Sequence, residues 1–255
     1  IYSCAKWASG CGPHPTQIVA PKIAVQGRPR QPFHDVAFSP DGSELALAGH
    51  GSVTIVSAAS RATLRTLDGH AGNVMSVAYS QDGKWLVAAA GEPGVFGEAT
   101  LWDVAGTIVR TFRWHKDSLY AAALSPNGQM LATASYDGGI TLWNVADGAE
   151  LRSLDGHNGA VFDLAFGPEG KWLASASADR TVKLWETASG KRLDTFAQSL
   201  GALYAVAFRP DGRRIAAGGV DNRIRVRELR ETEADDTNPR LYSRFEHEQA
   251  VRDMA

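Results

Sequence analysis

A histidine, a serine and an aspartate in the second half of the chain carry the groups that hydrolases use for acyl transfer. His157 supplies an imidazole, Ser175 a hydroxyl and Asp179 a carboxylate, and in a catalytic triad these groups make the hydroxyl nucleophilic. A matching set occurs earlier, at His115, Thr133 and Asp137. The His and the Asp are 22 positions apart in both sets. A catalytic set is needed only once, and Ser175 lies in a strand-like segment without the sharp turn that presents a nucleophile. The pattern therefore favours a structural role.

The two sets belong to a longer repeat, which defines the elements that must position them. The phrase from Val36 to Gly42 returns four times in altered form, and its aromatic or leucine position falls at 38, 79, 124, 166 and 208. Each unit contains four runs of about five residues separated by turns that mostly contain glycine, and no helix-length window has helical periodicity. Units of this length with four strands form blades around a central channel.

The fourth unit carries a family resemblance. Gly156-His157, Ser175, Asp179 and Trp185-Glu186 resemble the GH…WD signature of WD40 repeats, and the similarity extends over residues 33–255. It implies an all-β fold, an arc of a β-propeller with about five complete four-stranded units and a sixth unit that opens at His247. Because such propellers usually close with seven blades, we expect this chain to be a fragment of a longer protein. The remaining blades of that protein would be partners of the blades described by this sequence. Residues 1–32 are predicted to be a lead-in or linker because they contain five prolines.

In the WD40 family, four such side chains form a hydrogen-bonded chain, and the resemblance implies two complete tetrads here. A buried indole N–H needs an acceptor, which the hydroxyl supplies, and the hydroxyl in turn meets a histidine that the aspartate orients. The two predicted tetrads are His115, Thr133, Asp137, Trp143 and His157, Ser175, Asp179, Trp185. The second unit keeps His70 and Trp102 but has Ala88 in the hydroxyl position and no Asp six residues before the Trp. The first unit has Val56 in the Trp position.

The fifth unit departs most from the pattern. It keeps Asp221, and Arg227 stands in the Trp position. Arg223, Arg225 and Arg227 alternate along one strand, so they share a face and repel one another unless acidic groups pair with them. We therefore expect the fifth unit to be looser than the fourth.

The second unit also carries an extra segment between its second and third strands, from Gly91 to Glu98. It has two interpretations, a tolerated surface insertion or a binding loop with Phe96 as an apolar anchor. Together with Pro21-Lys22-Ile23, this segment is also similar to bacterial WD40 regions that follow a c-type cytochrome module in planctomycete proteins. The two cysteines, Cys4 and Cys11, do not form the C-x-x-C-H motif of haem attachment, and whether they pair stays open.

The loops that enter each blade and the turns after each second strand should share one rim. Residues flanking the first apolar residue of each first strand should point outward there, and Tyr136 and Phe96 join them from turns. The predicted partner-binding residues are His34, Asn73, Met75, Phe96, Ser118, Tyr120, Tyr136, Phe162, Tyr204 and Arg252. Aromatic residues, Met and Arg are enriched at protein interfaces. The alternative is that these aromatics only fill the gaps between blades.

The composition excludes several function classes. The 26 basic and 28 acidic residues are well mixed, with a net charge of −2, which gives no electrostatic footprint for nucleic acid or an anionic membrane. No apolar run reaches the length that a bilayer requires. We expect a non-catalytic scaffold for a protein or peptide partner, with no cofactor and no metal. Two alternatives stay open, a docking module of a cytochrome-containing redox protein and a catalytic propeller with a metal in its channel, for which Asp163 is the main candidate ligand.

Overall fold

The computed structural model describes residues 32–197, 199–229, 241–246 and 251. Arg252, the cysteines and the prolines of the lead-in before Pro32 lie outside the described residues. Within the described part every regular element is a β-strand. That part contains no helix of the length and apolarity needed to cross a membrane.

Nineteen strands build five units, as the repeat predicts, and each unit has four strands because the long β4 serves both the first and the second unit. The first unit contains β1 (Asp35–Phe38), β2 (Glu44–Ala48), β3 (His50–Ser57) and the first half of β4 (Thr63–Tyr79). The second contains the rest of β4, β5 (Trp85–Glu92), β6 (Phe96–Asp103) and β7 (Ile108–Arg113). The third contains β8 (Leu119–Leu124), β9 (Met130–Ser135), β10 (Ile140–Asn144) and β11 (Glu150–Leu154). The fourth contains β12 (Val161–Phe166), β13 (Trp172–Ser177), β14 (Val182–Glu186) and β15 (Arg192–Phe196). The fifth contains β16 (Leu203–Phe208), β17 (Arg214–Gly219), β18 (Arg223–Glu228) and β19 (Leu241–Glu246).

All strand pairs within a unit are antiparallel neighbours in chain order. Because β4 is continuous between the first two units, their strands join in one seven-stranded sheet, whereas the other units are separate four-stranded sheets. The first strand of each unit lies beside the first strand of the next, which places these strands innermost in the arc. The fold is thus an arc of propeller blades.

The apolar core lies between neighbouring blades rather than inside any one of them. Strand residues alternate between the two faces of a blade, and both faces of an inner blade are covered by neighbours. One core cluster joins Leu142 of the third unit with Leu164 and Trp185 of the fourth. A corresponding cluster joins the fourth unit to the fifth through Phe196 and Ile215. Each blade is therefore stabilised by the next, as expected for a repeat architecture.

Two aspartates link inner strands of adjacent blades directly. Asp35 accepts the backbone N–H of Val77 in the second unit at 2.8 Å, and Asp163 accepts that of Val206 in the fifth unit at 2.7 Å. Each carboxylate also accepts the N–H of the residue that follows it, at 2.8 Å. Asp163, the expected channel ligand in the metal hypothesis, therefore hydrogen-bonds two backbone amides.

Candidate functional site

One end of the arc carries the loops that enter each blade and the turns between second and third strands. The two kinds of loop are tied together: His157 Nδ1 lies 2.8 Å from Asp179 Oδ2, and the amide of Leu200 donates to Asp221 Oδ2 at 3.1 Å. We call this end the loop rim. Within the described residues it comprises 32–34, 49–51, 68–73, 92–96, 114–118, 136–139, 155–160, 178–181, 199–202 and 220–222.

Four of the predicted partner-binding residues occupy the same irregularity in successive inner strands. The pairing of β8 with β9 shifts between Leu119 and Ala121, which leaves Tyr120 as the extra residue of a β-bulge. The same shift occurs around three further residues: Met75, Phe162 and Tyr204. A bulge takes one residue out of the ladder and re-aims its side chain. In the second to fifth units the repeat therefore presents one side chain per blade, where the inner strand leaves the loop rim.

The aromatic bulge residues contact one another and form a row across three blades. The ring centroids of Tyr120 and Phe162 are 5.2 Å apart in an edge-to-face arrangement, and those of Phe162 and Tyr204 are also 5.2 Å apart. Tyr136, from the neighbouring turn, extends the row with its centroid 5.9 Å from that of Tyr120. The three bulge rings are half-buried, and Tyr136 is 55% exposed. These four residues are called the aromatic row below.

The other predicted rim residues are placed less uniformly. Asn73 is exposed and its Oδ1 accepts a 2.9 Å hydrogen bond from His50 Nδ1, whereas His34 is half-buried. The expectation that Ser118 points outward is wrong, because Ser118 is buried. Its carbonyl oxygen accepts the amide of Tyr136, and the backbone of Gly91 packs against its Cα.

The extra segment of the second unit is an extended hairpin rather than an irregular loop. β5 and β6 stay paired as far as Glu92 and Phe96. Phe96 is half-buried under the guanidinium of Arg113, 5.9 Å from its ring centroid, while Val95 at the tip is 61% exposed. The hairpin presents Val95 more openly than Phe96.

The fourth unit contains a continuous chain of hydrogen bonds through its tetrad. Trp185 Nε1 donates to Ser175 Oγ at 2.9 Å, and that oxygen lies 2.7 Å from His157 Nε2. Asp179 meets the other ring nitrogen and also accepts from the hydroxyl of Thr181 at 2.6 Å. Burial raises the pKa of Asp179, but the hydrogen bonds from His157 and Thr181 outweigh it and hold the pKa below its usual value.

The third unit repeats the chain with one longer link. Trp143 Nε1 donates to Thr133 Oγ1 at 2.9 Å, His115 Nε2 lies 3.0 Å from that oxygen, and His115 Nδ1 is 3.5 Å from Asp137. Burial lowers the pKa of His115, against the opposing effect of Asp137. Thr133 and its counterpart Ser175 are fully buried. Their hydroxyls are closed to a substrate, so the arrangement serves structure and not acyl transfer.

The second unit contains a carboxylate that the sequence pattern missed. Glu98, four residues before Trp102, is 3.4 Å from His70 Nδ1 and accepts from Arg113 at 2.8 and 2.7 Å. Neither ring nitrogen of His70 has a hydrogen-bond partner among the described residues. Burial lowers the pKa of His70, although Glu98 opposes this. Ala88, which is buried, occupies the position of the tetrad hydroxyl, so this unit has an apolar side chain there.

In the fifth unit an acid and an aromatic ring accommodate two of the arginines. Arg225 donates to both oxygens of Asp221, at 3.2 and 2.6 Å. Arg227 lies over the ring of Phe196 from the preceding blade. Both guanidinium-bearing residues are buried, and beside them Ser199 and Phe196 help to line a cavity of about 20 Å³. This unit thus replaces the Trp-centred chain by an ion pair and a cation–π contact.

Among the residues that the structure describes, no three His, Cys, Asp or Glu side chains are close enough together to hold a metal ion.

A family model described as WD domain, G-beta repeat matches residues 61–93, 106–144, 148–186 and 190–227, more than half of the chain. The chain belongs to the WD40 family. The two matches that end at 144 and 186 each close one residue after a tetrad tryptophan.

Curated WD40-containing relatives match this chain over part of their length. The Target of rapamycin complex subunit wat1 of Schizosaccharomyces pombe is 28% identical over 114 residues, which are 44% of this chain and 35% of that protein. The COMPASS component SWD3 of Saccharomyces cerevisiae is 26% identical over 126 residues, 49% of this chain and 39% of that protein. The Intraflagellar transport protein 122 homolog of Danio rerio is 29% identical over 125 residues, 48% of this chain and 10% of that protein.

The chain thus spans well under half the length of the curated relatives it matches. These relatives are eukaryotic, and they give no support to the resemblance with bacterial cytochrome-linked proteins. That resemblance therefore rests on the sequence segments alone. One of them, Pro21-Lys22-Ile23, lies outside the described residues.

Proposed function

We propose that this WD40 chain is a non-catalytic interaction module whose protein partner contacts the aromatic row on the loop rim. The observation that carries the proposal is the row itself, in which Tyr120, Phe162 and Tyr204 leave their strands at equivalent bulges and touch across three blades. A cluster of partly exposed aromatic rings on one surface is the kind of patch that partners bury. The relatives named above include subunits of protein complexes, which is consistent with this role.

The energetics favour binding over simple gap filling. The four rings contact one another, yet Tyr136 is 55% exposed and the bulge rings are half-buried. Tyr and Phe bring a large contact area with few rotatable bonds, so their burial by a partner costs little conformational entropy. The rigid blades beneath the row also hold it in place before a partner arrives, which lowers the cost of association.

A selection from a displayed library of random peptides tests the proposal. Peptides selected on the unaltered chain are assayed against Tyr120→Ala, Tyr204→Ala and Phe38→Ala. Phe38 is 59% exposed at the opposite end of its blade, so its variant removes a comparable ring away from the row. We expect binding to weaken by about 1–2 kcal/mol in each tyrosine variant and to be unchanged in Phe38→Ala. Peptides that bind all three variants equally well would show that the row is not the binding site.

A further inference from the structure

The loop rim differs in its balance of charge from the opposite rim, which carries the turns between first and second strands and between third and fourth strands. Carboxylates outnumber basic side chains in the loop-rim segments. The acidic residues there are Asp68, Glu92, Asp117, Asp137, Asp155, Asp179 and Asp221, and the basic ones are Lys116 and Arg180. Of these acids, Asp221 is ion-paired with Arg225 of β18. On the opposite rim, acids alternate with bases that pair with them locally, as in Asp82 with Lys84 and Glu169 with Lys171. The net negative charge of the described blades is therefore concentrated at the end that bears the aromatic row.

The hydrogen bonds made by one of these rim carboxylates, Asp137, leave its charge in place. Asp137 accepts the amides of Gly139 and Lys116, at 2.8 and 3.1 Å. Burial raises the pKa of Asp137, but these amide hydrogen bonds, together with His115 and Ser135, lower it by more, so it stays ionised at neutral pH. Backbone amides are uncharged donors that favour the ionised form of a carboxylate without neutralising it.

One rim carboxylate lies next to the aromatic row. Asp117 accepts the amides of Ser118 and Gly94, both at 2.8 Å. Burial raises the pKa of the Tyr120 phenol, and Tyr136 and the charge of Asp117 add to this. The row is thus a set of π-systems that has a carboxylate beside it and contains no basic side chain.

From this arrangement we infer that the partner is a basic peptide segment that places an arginine or lysine side chain on the aromatic row, within reach of Asp117. The faces of aromatic rings attract cations, and an acidic rim steers cationic partners toward it. A planar guanidinium suits the site best, because it stacks on a ring while its N–H groups donate to a carboxylate. This inference rests on the proposed function and specifies the chemistry of the partner at the same site.

Dye-labelled peptides of nine residues test the inference by fluorescence polarisation. Each has glycine and serine at all but three positions, and those three are all Arg, all Gln, all Leu or all Glu. We expect the Arg peptide to bind about tenfold or more tightly than the Gln peptide, and its affinity to fall with added salt. Phe162→Ala should weaken the Arg peptide several-fold and Asp117→Asn roughly two- to fivefold, which corresponds to an exposed cation–π or ion-pair contact.

Asp41→Asn is the matched control, since it removes the same charge from the opposite rim, where Asp41 is held by Ser39 and Ser43. Asn at 117 keeps an oxygen to accept the two amides, and thermal unfolding checks that the variant is folded. Failure of the Arg peptide to bind, equal weakening by Asp41→Asn and Asp117→Asn, or tighter binding of the Leu peptide would each overturn the inference. If the Leu peptide binds more tightly but its affinity still falls in Phe162→Ala, the inference about a basic partner is wrong, whereas the proposed function is still supported. A separate result would contradict the proposed function: library-selected peptides that bind Tyr120→Ala and Tyr204→Ala as tightly as the unaltered chain.

Discussion

Arg227 lies over the ring of Phe196, with 5.3 Å between the guanidinium carbon and the ring centroid. In the third unit the same position holds Trp143, whose ring centroid is 5.5 Å from that of Phe112 in the preceding blade. An arginine can thus take over the inter-blade packing of the tryptophan, although it cannot take over the hydrogen bond to a Ser or Thr. Burial lowers the pKa of Arg227, against the opposing charge of Asp194, so the replacement carries a desolvation cost that an indole does not.

We therefore expect the fifth unit to open more readily than the fourth. Backbone amides of 214–229 should exchange with deuterium faster than those of 172–185, because the fifth blade has buried guanidinium groups where the fourth has a complete tetrad. Native-state hydrogen exchange read by mass spectrometry measures this. Equal protection of the two segments would show that the Asp221–Arg225 pair and the Arg227–Phe196 contact are as effective as the tetrad.

The Asp221–Arg225 pair should also make stability depend on pH in the acid range. Burial raises the pKa of Asp221, but hydrogen bonds from Arg225 and the Leu200 amide outweigh it and lower the pKa from 3.8 to about 2. Because the folded pKa is the lower one, the stabilisation is complete above the unfolded value and is lost as pH falls through about 2. Asp221→Asn should lower the free energy of unfolding at pH 7 and flatten its decline below about pH 4. Asp155→Asn, an exposed rim change, is the control, and an unchanged acid profile in Asp221→Asn would contradict the role of the pair.

Replacing Trp185 by Phe should destabilise the fourth unit. The indole N–H donates to Ser175 in a fully buried setting, so Phe keeps most of the apolar contact and removes the donor. We expect a loss of roughly 1–3 kcal/mol in the free energy of unfolding, measured by urea denaturation. Trp114→Phe makes the same chemical change at a position that is 63% exposed and should leave stability nearly unchanged. Equal stability of the two variants would remove the argument for the network.

The second unit offers the converse experiment, because Ala88 occupies the position of Ser175. Ala88→Ser should place a hydroxyl near His70, whose Nε2 has no hydrogen-bond partner among the described residues, and near the indole of Trp102, raising the free energy of unfolding by about 1 kcal/mol. Ala89→Ser, on the opposite and equally buried face of β5, should instead destabilise by about 1–3 kcal/mol because its hydroxyl lacks this network. Thermal unfolding of both variants gives the comparison, and a loss of stability in Ala88→Ser would mean that the pocket is too tight for the hydroxyl.

Several of these features could be read from the sequence because the repeat fixes the register. The spacing of 22 between His and Asp and of six between Asp and Trp sufficed to identify the side chains that meet in the third and fourth units. The grouping of Tyr120, Phe162 and Tyr204 at one end also followed from the repeat, since equivalent positions on equivalent blades must lie on one rim. The four-stranded units and the absence of helix among the described residues follow from strand length and turn chemistry.

Other features depended on contacts that spacing does not encode. Glu98 supplies a carboxylate to His70 from four residues before Trp102, because the longer hairpin of the second unit displaces the usual turn aspartate. Ser118 was expected to be exposed, but the same hairpin lies over it. The link from Asp163 to Val206 joins residues 43 positions apart in different blades, and only their arrangement in space shows it.

The docking of that hairpin gives the last prediction, which concerns Gly97. A Cβ at Gly97 would lie 2.4 Å from the carbonyl oxygen of Asp117 and 3.0 Å from Leu119, so the strand approaches the entry of the third blade too closely for any side chain. Gly97→Ala should therefore lower the free energy of unfolding by roughly 1–3 kcal/mol through overpacking. Gly94, at the tip of the same hairpin, has a φ of +72° and no atom within 4 Å of an added Cβ, so Gly94→Ala meets only backbone strain of about 1 kcal/mol. Urea denaturation of the two variants separates a steric from a conformational requirement for glycine. If Gly94→Ala proved the more damaging of the two, the hairpin would owe its position to the turn at its tip and not to close contact with the third blade.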